Sequence, residues 1–123
     1  MKSIGGALFV TILLLVGVSA MSCKSKSNPV DPGAGADEVI QIIGNAGGNS
    51  YSPSPDTVLV GLKVSWHNSD NMTHTATSDA GGIFNTGDIG AGQTSVPIQM
   101  NTSGTFRYHC ARHPTMFDTL RVL

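Results

Sequence analysis

The sequence predicts an all-β domain folded as a sandwich. Three features predict it. Short runs alternate apolar and polar residues, clusters of Gly, Pro, Asn and Asp separate those runs, and nothing beyond about residue 36 has the period of a long amphipathic helix. A chain of 123 residues has room for one domain. A formal charge of −1 provides no broad field for nucleic acid, which is excluded as a partner.

The N-terminus is set aside from the fold. Met1-Lys2-Ser3 is a short basic start, and Ile4 to Val18 is an apolar run. That run has the length of a secretory core and falls short of the roughly 20 residues of a membrane span. Residues 1–22 read as a signal peptide. Residues 23–36 are Ser, Lys, Asn, Pro, Gly and Ala with no apolar period, and read as a flexible tether. Residues 37–123 are the domain. Within it, Val39–Ile43 is the first strand, 44–50 a Gly/Asn loop, and Tyr51–Asp56 an extended, proline-stiffened segment. Thr57–Val60 follows as a strand, and Lys63–Asn68 alternates so that Val64 and Trp66 share a face. Ser69–Asn71 is a turn, His74–Ser78 a short strand, and 79–92 a loop region. Ser95–Met100 is a strand, with Pro97 pointing to an edge. Gly104–Cys110 alternates again, with Phe106, Tyr108 and Cys110 on one face. Leu120–Leu123 closes the domain. Such strands argue for an antiparallel sandwich whose core holds Trp66, Phe84, Phe106, Tyr108 and the Val/Ile positions.

The chemistry sits in Cys110-Ala111-Arg112-His113-Pro114-Thr115-Met116, a Cys-x2-His-x2-Met arrangement, with His74 upstream. A thiolate, two imidazoles and a thioether are the ligand set of a blue-copper electron-transfer site. They compromise between Cu(I), which favours sulfur, and Cu(II), which accepts imidazole. Cys110 ends a strand, His113 and Met116 lie on the following loop, and His74 must come from a neighbouring segment. His67 and His109 fall on the other strand parity and read as surface residues. Met72 is packing or part of an apolar collar, and Arg112 a solvated cation.

Val64-Ser65-Trp66-His67-Asn68, His74-Thr75, and Gly104 to Cys110 with His113 and Met116 together resemble the small cupredoxins, the plastocyanin and amicyanin group. The short ligand loop with Pro114 after the histidine is most similar to amicyanin. The resemblance covers Asp37 to Leu123. It implies a Greek-key sandwich of about eight strands holding one type 1 copper, with His74, Cys110, His113 and Met116 as ligands. It also implies a hydrogen bond from Asn68 near the cysteine that steadies the ligand loop. By the same resemblance the chain is a monomeric electron shuttle between redox proteins such as cytochromes or membrane redox complexes, and no enzyme. Arg112 departs from the family's usual Pro, Phe117-Asp118 from a Gly after the methionine, and Ile98 from a Phe. The competing reading of the same ligands is copper storage or delivery without redox turnover.

Ala20-Met21-Ser22-Cys23, followed by Lys24-Ser25-Lys26, resembles the lipobox of bacterial lipoproteins, although Met21 is not the usual small residue. The resemblance implies lipid on Cys23 and a membrane-anchored protein in the periplasm or at the cell surface. The alternatives are an ordinary signal peptide cut near Ala20 and an uncleaved anchor. With two cysteines, the ordinary expectation in an oxidising compartment is one disulfide. Lipid on Cys23 would leave Cys110 unpaired and available to a metal.

Overall fold

The computed structural model describes residues 34–123. The signal peptide, Cys23 and most of the expected tether lie outside the described residues. Eight strands form: β1 (Glu38–Ile42), β2 (Tyr51–Ser52), β3 (Asp56–Val58), β4 (Lys63–Asn68), β5 (Thr77–Ser78), β6 (Ile98–Gln99), β7 (Gly104–His109) and β8 (Phe117–Val122), with one 3-10 turn at Gly47–Asn49. They make two four-stranded sheets, ordered β2-β1-β4-β6 and β3-β8-β7-β5. The expected all-β sandwich with about eight strands is what forms.

The pairing is not wholly antiparallel. β1 runs parallel to β4, and β3 parallel to β8. Between β1 and β4 the chain crosses to the second sheet to lay down β3, so it returns to the first sheet in its original direction. These registers give the sandwich two poles. The C-terminal ends of β1, β4 and β7 and the start of β8 meet at one pole. The starts of β1, β4 and β7 and the ends of β3 and β8 meet at the other.

The alternating runs became the best-formed strands. β4 matches its expected span, with Val64 and Trp66 fully buried. Trp66 stacks on Phe84 at 5.2 Å, and Tyr108 sits edge-on to both rings. Two core assignments change. Phe106 is only partly buried, packed against the core from the start of β7. Tyr51, placed in the proline-rich segment, is fully buried, and its ring meets Tyr108 at 4.7 Å. Several strands have other limits. β1 shifts by one residue to Glu38–Ile42, and β3 is Asp56–Val58, not Thr57–Val60, because the chain turns at Leu59, whose carbonyl accepts from Leu62 N. Only Thr77–Ser78 of the 74–78 run pairs as a strand, because His74 bridges to Ile89 instead. Only Ile98–Gln99 pairs within 95–100. β8 begins at Phe117, not Leu120, because Asp118 faces inward with Leu120 and Val122.

Asp118 and Asp56 are buried carboxyls. Ser54 Oγ donates to Asp118 Oδ1 at 2.6 Å, and Thr57 N donates to Asp56 Oδ1 at 2.7 Å. The other oxygen of each has no hydrogen-bond partner among the described residues. Burial pushes both carboxyls above their usual range, outweighing those hydrogen bonds. An acid raised in the folded state binds its proton more tightly there than in the unfolded chain. Its contribution to stability is therefore greatest below about pH 4, where the unfolded carboxyl is protonated too, and drains away as pH rises through the raised folded value. The unfolding midpoint of Asp56→Asn, relative to that of the unsubstituted chain, should shift in the variant's favour between pH 4 and pH 7. Urea titrations at the two pH values check this.

Candidate metal centre

At the first pole, the last residue after β7 meets the loop that follows β4. Three donor atoms converge there. His74 Nδ1 and His113 Nδ1 are 3.2 Å apart, and Cys110 Sγ lies 3.8 Å from the first and 3.7 Å from the second. A trigonal metal ion bonded at about 2.0 Å to nitrogen and about 2.3 Å to sulfur spaces its donors by about 3.5 Å (N to N) and about 3.7 Å (N to S). The three atoms are thus already set for such an ion. Cys110 and His74 are fully buried and His113 is half-buried. Cys110 is the only cysteine among the described residues and is free of any disulfide.

Backbone hydrogen bonds knot the loop that carries Cys110, His113 and Met116. His113 N donates to Cys110 O, Met116 N to His113 O, and Cys110 N to Met116 O, at 3.2, 2.9 and 3.0 Å. The knot brings Met116 back against Cys110 and leaves it fully buried. Thr115 Oγ1 ties the outer loop to Asn45 Oδ1 at 3.0 Å.

His74 is placed from two directions. Its backbone exchanges hydrogen bonds with Ile89. Its Nε2 lies 2.7 Å from Asp70 Oδ2, so a proton on Nε2 is donated to the carboxylate and the Nδ1 lone pair stays free to face Cys110. That hydrogen bond, with one from Asn71 N, holds the Asp70 carboxyl below the usual range. Sequence reasoning missed Asp70; its only signal was a carboxylate in the turn four residues before a candidate ligand. Asp70→Ala should weaken metal binding by about 10–100-fold while leaving the three donors in place, measured by competition with a chelator.

Thr75 was also missed, and it links three neighbours. Its N–H donates to Cys110 Sγ at 3.3 Å, its Oγ1 accepts from Ala111 N at 2.8 Å, and its carbonyl accepts from Tyr51 OH at 2.7 Å. That N–H gives the sulfur a fixed hydrogen-bond donor and so orients it.

Asn68 is fully buried, but its bonds go elsewhere than expected. Nδ2 donates to Met72 O and Ile89 O, and Oδ1 accepts from Asp70 N. Asn68 therefore braces the turn that leads to His74, not the loop after Cys110. His67 and His109 stay off the centre, bonded to Thr94 and Asp79. Arg112 is not a free cation. It forms a forked pair with Asp88, which lies well below the usual carboxylate range because of it. Met72 is half-exposed beside the turn.

Two imidazoles and a thiolate with a buried methionine on the same loop are the donor set of a type 1 copper site.

The chain was compared with known proteins. No protein-family model matches it, and no curated protein is significantly similar. Solved structures do match. A purple cupredoxin from Nitrosopumilus maritimus is 29% identical at a TM-score of 0.61, over 71% of this chain and 100% of that one. An oxidised proline variant of amicyanin is 25% identical at 0.59, over 73% of this chain and 84% of that one. A copper-containing nitrite reductase from Thermus scotoductus is 28% identical at 0.58; 69% of this chain aligns, but only 22% of the reductase. The fold is that of the cupredoxins.

Proposed function

We propose that the chain is a one-electron carrier that works outside the cytoplasm and uses a single copper ion. The observation that carries this reading is the convergence of His74 Nδ1, Cys110 Sγ and His113 Nδ1 at separations of 3.2 to 3.8 Å. Those three side chains would hold the ion, with Met116 as the weak fourth ligand. Copper bound there supplies a Cu(I)/Cu(II) couple.

The residues around it do the rest. The knotted loop, the Thr75 ties and the Asp70 contact fix the donors before any ion arrives, so little has to move when the charge changes. Burial of Cys110 keeps water and oxidants from the sulfur. His113 is the more exposed of the two histidines, so its ring edge is the route by which an electron leaves or enters. Met72 and Phe117, both partly exposed near this pole, offer apolar surface for brief docking of a redox protein such as a cytochrome. The chain would act as a monomer and carry out no reaction of its own. The amicyanin and purple cupredoxin likenesses support a carrier, and the basic-then-apolar N-terminus supports export. Lipid on Cys23, with anchoring in the periplasm or at the cell surface, completes the proposal.

The test is spectroscopic. The copper-loaded, oxidised full chain should show an intense visible thiolate-to-copper band. The colour should bleach on reduction and return on reoxidation with the copper retained in the presence of a chelator. Copper lost to the chelator on reduction would instead indicate a delivery protein, and absence of the band would refute both the site and the carrier.

A further inference from the structure

The pole away from the metal carries an apolar tip with no assigned use. Val58 ends β3, and the chain then turns through Leu59, Val60 and Gly61, with Leu62 N donating to Leu59 O. Leu59 is 60% exposed and Val60 46%; Leu123, alongside them, is 68% exposed. Two hydrogen bonds lock Leu123 to this turn: Val60 N to Leu123 O and Leu123 N to Val58 O, both 2.9 Å. Three large aliphatic side chains are thus held together on a fixed turn and face outward. Lys63 and Arg121 flank them, both exposed.

The N-terminal segment joins the domain at the same pole. Asp37 N donates to Lys63 O, and Lys63 N donates to Asp37 Oδ2, each at 2.8 Å, one residue beyond Leu62. Upstream of Ala34 lies Cys23, the proposed site of the lipid anchor. The residues from Cys23 to Ala34 can span at most about 40 Å when fully extended. A domain held that close to a bilayer sees its surface at an effective concentration in the millimolar range, so even a weak apolar contact is populated.

We propose that Leu59, Val60 and Leu123 form a membrane-resting tip, whose occupant is the lipid surface. The aliphatic side chains would enter the headgroup boundary, with Lys63 and Arg121 meeting lipid phosphates around them. The domain would then stand on the bilayer with His113 and the metal pole facing away from it, presented to partners. This rests on the proposed retention of the chain at a membrane, but not on the identity of the metal.

The experiment uses the chain from Cys23 onward, lipidated at that residue, copper-loaded and reduced, in nanodiscs of phosphatidylcholine and phosphatidylglycerol, with methyl groups observed by NMR and a spin-labelled lipid added. The methyl signals of Leu59, Val60 and Leu123 should lose most of their intensity, while those of Ile43 and Met72 at the metal pole keep theirs. The double substitution Leu59→Asp, Val60→Asp, at exposed positions that contribute little to the core, should restore most of the Leu123 signal. Equal broadening at both poles, broadening at the metal pole alone, no broadening, or a chain that fails to join the nanodisc would each overturn the proposal. So would a doubled mass by sedimentation with cross-tip contacts between copies, which would make a second chain the occupant. The visible spectrum of the same sample after oxidation reports the metal centre separately.

Discussion

Replacing Cys110 by serine should give a folded protein that has lost its colour and most of its metal affinity. The sulfur is the one soft anionic donor of the centre, and a serine hydroxyl does not ionise near neutral pH. The affinity for copper should fall on the order of 100-fold or more, with complete loss of the intense visible band. The fold should survive, because Thr75 N can donate to the new oxygen as it does to Sγ. Measuring copper content, absorption and unfolding midpoint on one preparation separates the outcomes. A Cys110→Ser protein that stayed coloured would mean that the sulfur is not bound to the ion.

Trp66→Ala should be the most damaging core substitution. The ring is fully buried between the sheets, stacked on Phe84 and edge-on to Tyr108. Truncating a buried Trp to Ala costs about 3–5 kcal/mol. A domain of this length has about 5–13 kcal/mol of stability in all. The melting temperature should fall by about 15–30 °C, measured on the metal-free protein by calorimetry. Trp66→Phe should cost much less, since the indole N–H has no hydrogen-bond partner among the described residues and its loss leaves nothing newly unpaired. The aromatic cluster continues through Tyr108, two residues from Cys110 on the same strand face, so the alanine variant should also loosen the metal centre.

These two residues stand for what could be read from the sequence and why. β4 and β7 were legible because a half-buried strand must alternate, and Val64, Trp66, Tyr108 and Cys110 do. His74, Cys110 and His113 were legible because few other chemistries use those residue types together. What stayed hidden depends on contacts that leave no pattern. Thr75 acts through its backbone N–H, which every non-proline residue has. Asp70 acts through a turn whose shape is set by Asn68. Tyr51 was masked by the prolines around it. The start of β8 was masked by Asp118, a charged residue at an inward position that alternation assigns to an apolar one. The two parallel pairings were out of reach, since they follow from the chain changing sheets and not from any single strand.

One of those pairings bears on how the protein is made. β3 has its register set by β8, Asp56 against Leu120 and Val58 against Val122. On the ribosome the early strand must therefore wait, with no neighbour in its own sheet, until β8 has been translated. A nascent chain stalled after Met116 would already contain His74, Cys110 and His113 and still lack the strand that joins β3 to β7. Such a stalled chain should take up no copper, and emergence of β8 should be the step that lets the centre form.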